Sequence, residues 1–138
     1  MKRLLPVVLS LAFAFNAHAA PSREAANNWL NDFSKIKVEI LANAGRQKSY
    51  FELQIQPITE LEERAKRLFT DKSKTPNPYI ICIAAVSQFR AALGWQIKSL
   101  TSEAGSDVLS DRVTYLASTS FHAGAAYQRC EALIEGLN

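Results

Sequence analysis

The chain has 138 residues, 48% of them hydrophobic, with 16 Lys+Arg against 13 Asp+Glu, a formal net charge of +3 and two cysteines. This size suits one compact domain with its own core. The longest basic run, Arg64-Ala65-Lys66-Arg67, directly follows Glu60, Glu62 and Glu63, so it reads as a solvated helix face, and nucleic acid is excluded as a partner.

Lys2 and Arg3 precede an almost unbroken apolar stretch from Leu4 to Phe15, and Ala17-His18-Ala19 puts small residues where a signal peptidase reads. This pattern predicts an export signal over residues 1–19. The apolar run is too short to cross a bilayer as a stable helix, and no Cys follows to carry a lipid. The working molecule is expected to be residues 20–138, in the periplasm or secreted, where disulfides persist. Lys2 and Arg3 leave with the leader, so the balance falls to 14 basic against 13 acidic residues.

Trp29, Phe33, Ile36 and Ile40 step by four, three and four, which predicts a helix over about 22–44. Ser22 offers an N-cap, Glu24 an acid in the first turn, and Gly45 a stop. The next stretch is ambiguous. Phe51-Glu52-Leu53-Gln54-Ile55-Gln56 alternates as a strand does, yet Phe51, Ile55 and Ile58 also fit a helix. No second strand-like segment could pair with it, so a helix over 47–69 is preferred, kinked or restarted at Pro57. Thr59-Glu60-Leu61-Glu62 has the form of a capping box and supports the restart. Within this helix Glu60 with Arg64, and Glu63 with Arg67, sit at the spacing of ion pairs.

Asp71 to Pro78 is polar, with two prolines, and reads as an exposed connection. Asn77 and Pro78 then open a helix over about 78–100. Its stripe is Cys82, Val86, Phe89, Leu93, Ile97 and Leu100, but Ile80, Ile81, Ala84, Ala91 and Trp95 make its other side apolar too. Such a helix is central in its domain or covered by a partner. A last helix over about 107–135 carries Leu109, Val113, Leu116, Ser120, Ala123, Tyr127, Cys130 and Ile134 on one face. The short turn between these two helices makes them antiparallel. Cys82 then faces the far part of the last helix, within about a turn of Cys130, and a Cys82–Cys130 disulfide is predicted. The expected fold is all-α: an antiparallel bundle of four helices, or five if Pro57 restarts the second, in one domain with one disulfide.

Much chemistry is missing. His122 is the only histidine outside the leader and Met1 the only methionine. Haem with His/Met ligation, Met-rich copper carriers and Cys/His zinc sites are thereby excluded. There is no Gly-x-Ser-x-Gly elbow, phosphate loop or dinucleotide fingerprint, so no cofactor and no metal is expected. Ser120 and His122, two apart on a helix, diverge and do not make a nucleophile–base pair; the chain is not expected to be an enzyme. Binding remains. Trp95 and Phe121 lie off the main core faces and are candidate hot spots for a protein partner. His122 stands beside Phe121. Arg90 and Arg112 either pair with acids such as Glu103 and Asp107 or anchor an acidic partner. The expected function is a small exported binding protein, most economically an inhibitor or immunity protein for an exported toxin or cell-wall hydrolase. The alternatives are a bundle holding an apolar small molecule or lipid against the two-sided helix 78–100, or an accessory factor of an envelope secretion or conjugation machine. No membrane span is expected after the leader.

Overall fold

A computed structural model describes residues 20–70, 76–101 and 105–137. The predicted leader, residues 71–75 of the polar connection and residues 102–104 of the last turn lie outside the described residues. The described chain folds into four helices: α1 (Arg23–Ala42), α2 (Lys48–Phe69), α3 (Ile80–Ser99) and α4 (Ser106–Glu135). They form an all-α bundle with one disulfide, Cys82–Cys130.

The start of α1 is fixed by Ser22, whose hydroxyl oxygen accepts the Ala25 N–H at 3.2 Å. Its end is closed by Asn43, which donates its backbone N–H toward Ile40 and its amide to the Glu39 carbonyl at 2.8 Å. Residues 50–56 are helical. The alternating pattern does not mark a face: Phe51 is 1% exposed, whereas Leu53 is 73% exposed. The buried set Phe51, Ile58, Leu61, Ala65 and Phe69 has helical spacing.

No restart occurs at Pro57; α2 runs through it. Pro57 removes one N–H and leaves the Leu53 carbonyl without its helical donor. Leu53 faces solvent, so water can serve that carbonyl. Thr59 does not cap a new helix but donates its hydroxyl back to the Ile55 carbonyl at 2.8 Å.

One register organises the α3–α4 hairpin. Trp95 stacks on Tyr115, Arg112 donates to the Lys98 carbonyl, and Cys82 bonds Cys130. In each pair the two positions are symmetric about residues 105–106 rather than about the middle of the turn. The start of α4 therefore extends past the end of α3, and this offset carries Cys130 the extra turn needed to face Cys82. The Cα atoms of the two cysteines stand 4.8 Å apart, inside the range a bridge requires.

The core is aromatic and sits where α1 crosses the bridge end of the hairpin. Phe33 meets Trp29, Phe89 and Tyr127 at ring-centroid distances of 5.4, 5.6 and 5.2 Å, and Trp29 also meets Phe69 at 4.9 Å. Trp29 donates its indole N–H to the Leu61 carbonyl at 3.0 Å, which ties α1 to α2. The central helix is α3, packed on α2 and α4. It is also the one helix among the described residues long and apolar enough to cross a membrane, with mean hydropathy 1.4.

Candidate functional site

Two surfaces hold the residues singled out in the sequence, and a buried carboxylate organises the first. Glu62 of α2 is buried, with a side chain 6% exposed. It accepts the Ser87 hydroxyl at 2.9 Å and pairs with Lys66 at 3.2 Å and with the Arg90 guanidinium. Burial pushes its carboxyl pKa up, but the hydrogen bonds from Ser87 and Lys66 and the charges of Arg90 and Lys66 outweigh that, and the pKa lies below its ordinary value. Lys66 in turn is held above its ordinary value, first by its hydrogen bond to Glu63 and then by Glu62.

Both arginines find partners within the bundle. Arg90 belongs to the α2–α3 seam, on Glu62. Arg112 donates to the Lys98 carbonyl at 2.8 Å, which also accepts the Thr101 N–H at 3.2 Å at the end of α3. Glu103 lies outside the described residues. On α2, Arg64 does not pair with Glu60 but reaches Asp32 of α1 at 2.9 Å, and Glu63 pairs with Lys66 rather than Arg67. For Arg64 a tertiary partner, and for Glu63 an i,i+3 neighbour, win over the i,i+4 one.

Arg90 forms one end of a notch of about 340 Å³ between α2 and α3, with Ile55 on one wall, Trp95 on the other and Lys98 at the far end. Trp95 is fixed there. Its ring stacks on Tyr115 at 4.8 Å and 15°, and the Lys98 ammonium lies 4.2 Å from its centroid. The floor is Gly94, and a Cβ there would meet nothing within 4 Å. Packing does not require this glycine, yet glycine inside a helix costs about 1 kcal/mol relative to alanine. The notch thus combines two cations, a rigid aromatic edge and free depth. Such a site suits a carboxylate flanked by apolar groups.

The second surface is the outer face of α1 and α4. Phe121 is 74% exposed, and His122 is exposed beside it with ring centroids 5.8 Å apart. The predicted α4 stripe is only half covered. Tyr127, Cys130 and Ile134 are buried, but Leu109 is 40% and Val113 51% exposed, because α1 ends at Ala42 and does not reach along the hairpin tip. Where α1 stops, Ile40 and Leu41 face Leu116 and Ser120 of α4 across a groove of about 190 Å³ floored by Phe51, Phe89 and Leu93.

The structure therefore divides the predicted residues: Arg90 and Trp95 share the notch, Arg112 braces the hairpin beside it, and Phe121 with His122 lies on the other face. Glu62, Lys98 and Gly94 were not anticipated. Glu62 carried a signal, since it lies four residues after Ile58 and three before Ala65, at core spacing. Among the described residues no group of three His, Cys, Asp or Glu side chains is placed to hold a metal ion. The chain matches no protein-family model, and neither a curated protein nor a solved structure is detectably similar to it.

Proposed function

We propose that this protein is an exported, non-catalytic binding module that engages a protein partner through the α2–α3 notch. The observation that carries the reading is the notch itself: Arg90 is held open toward solvent by a buried Glu62, with Lys98 and the edge of Trp95 around a vacant Gly94 floor. A partner segment with an acidic residue next to an apolar one matches that chemistry. The leader pattern at residues 1–19 and the bridge Cys82–Cys130 support export to an oxidising compartment. An Arg90–Glu62 ion pair near the middle of α3 supports a bundle standing in water rather than a helix in lipid. In this setting the most economical role is an inhibitor or immunity protein that blocks an exported toxin or cell-wall hydrolase. An accessory factor of an envelope machine would use the same surface and differ in the partner it holds.

The test is site-specific photo-crosslinking in cells of the source organism. A photoreactive residue at Ala91, on the rim of the notch, should capture one envelope protein, and Lys98→Glu should abolish the capture. The same probe at Ser49, exposed at the start of α2, should capture none. Equal labelling from both positions, or recovery of the full-length chain in the cytosol with both thiols reduced, refutes the proposal.

A further inference from the structure

The side of α3 turned away from the core shows what kind of segment the notch receives, an inference that rests on the binding role proposed above. Ile80, Ala84, Ser87, Ala91, Gly94 and Lys98 step by four, three, four, three and four. On a helix these positions fall within about 80° of arc, opposite Cys82, Val86 and Leu93 of the core. The stripe runs about 27 Å along the axis. Ser87, Ala91, Gly94 and Lys98 line the notch, and Ala84 and Ile80 continue the same line beyond it. Ile80 is 59% exposed, and Ala91 and Lys98 are exposed as well. A helix face turned to water normally carries charged and polar side chains. This one carries small and apolar side chains, at the alternating spacing by which one helix receives the knobs of another. Open space above Gly94 lets a second backbone come close.

We infer that the occupant is an amphipathic helix of the protein partner, laid along α3 from Ile80 to Lys98, with apolar residues on the stripe and two acids about eight residues apart. The acids follow from charge. α3 contains Arg90 and Lys98 and no acidic residue. Among the described residues Arg90 pairs only with Glu62, and the Lys98 ammonium meets the Trp95 ring but no carboxylate. The two cations stand at opposite ends of the notch, about 12 Å apart along the helix axis. That arrangement asks for two carboxylates at a matching separation rather than for one. The same charges weigh against other occupants. Two copies of α3 paired on this stripe would bring four cations together with no acid, and residues 1–19 contain no Asp or Glu. A lipid surface takes up large side chains such as Leu, Phe and Trp, whereas this stripe is mostly Ala, Ser and Gly.

The test maps where the captured partner is attached. A photoreactive residue is placed at Ile80 or at Ala91 of the full chain, in cells of the source organism, and the attachment points are found by mass spectrometry. The two positions are eleven residues apart. Both probes should capture the same protein, at points about eleven residues apart in its sequence for a helix, against about five for an extended segment. Capture lost in Lys98→Glu should return to within about twofold of native when the partner acid facing that position is changed to Lys. Ile80, Ala91 and Lys98 are exposed, so each variant should keep the native helical circular dichroism. No capture at Ala91, or capture of lipid instead of protein, overturns the notch as a protein site and this inference with it. Capture at Ala91 without capture at Ile80, the shorter spacing, a second copy of this chain as the captured protein, or no rescue by the charge exchange overturns the helix alone and leaves the notch standing.

Discussion

Removing the Cys82–Cys130 bridge should cost this fold a large part of its stability. The two residues are 48 positions apart, and closing a loop of that length in the unfolded chain is worth about 4 kcal/mol by the loop-entropy relation. For a domain of this size one kcal/mol moves the melting temperature by about 4 °C, so the loss should be about 15 °C. Both cysteines are buried, at 0% and 1% exposure, so the double variant Cys82→Ala/Cys130→Ala also leaves a small void that can only add to the loss. The assay is thermal unfolding followed by circular dichroism at 222 nm, a wavelength that reads helix, for the oxidised protein, the double variant and the oxidised protein with excess dithiothreitol. The reduced protein should melt well below the oxidised form, and the variant slightly lower still because of the void. A difference under about 3 °C would show that the unfolded hairpin is already held in register by other contacts, and the entropy argument would fail.

Three further outcomes follow from single sites. Glu62→Gln should lower stability by about 2 kcal/mol at neutral pH, since it removes the charge that Arg90 faces; urea midpoints measure this. The Glu62 pKa in the folded state lies below its ordinary 4.5, so its contribution is full above that value and is lost as pH falls through the folded pKa. Native stability should therefore decline below about pH 4.5 more steeply than that of Glu62→Gln, and parallel declines would contradict the assignment. Gly94→Ala meets open space and should raise stability by about 0.8 kcal/mol; a lower urea midpoint would mean that α3 needs the glycine. Trp29→Phe deletes the indole donor to the Leu61 carbonyl and part of a core ring, and should cost about 2 kcal/mol in the same titration.

Helical periodicity made the four helices and the cysteine pair readable, because each core stripe repeats at three and four residues over several turns. What local pattern could not supply was the outcome of competition between partners. Thr59 has the sequence of a cap, but Phe51 and Ile58 bury together only if the helix runs on through Pro57. Arg64 has Glu60 at the right spacing, yet Asp32 of α1 is within reach once the helices dock. The α4 stripe was legible as apolar from Leu109 to Ile134, but not that half of it lies bare, since that depends on where α1 ends relative to the hairpin tip. The site residues scattered for the same reason. Arg90 and Trp95 are five positions apart on α3, and only the placement of α2 against α3 makes them two sides of one notch.

The bridge and the register of the hairpin also set an order of disassembly. α3 and α4 are covalently closed at one end and clasped by Trp95 on Tyr115 toward the other, while α1 is held only by non-covalent packing, chiefly of Trp29 and Phe33. Partial opening therefore starts with α1 swinging away, not with the stapled pair. Amide protons of α1 should exchange through this low-lying excursion, those around Cys82 and Cys130 only when the whole molecule unravels, and a protease should nick the segment between Ala42 and Lys48 long before it reaches the hairpin.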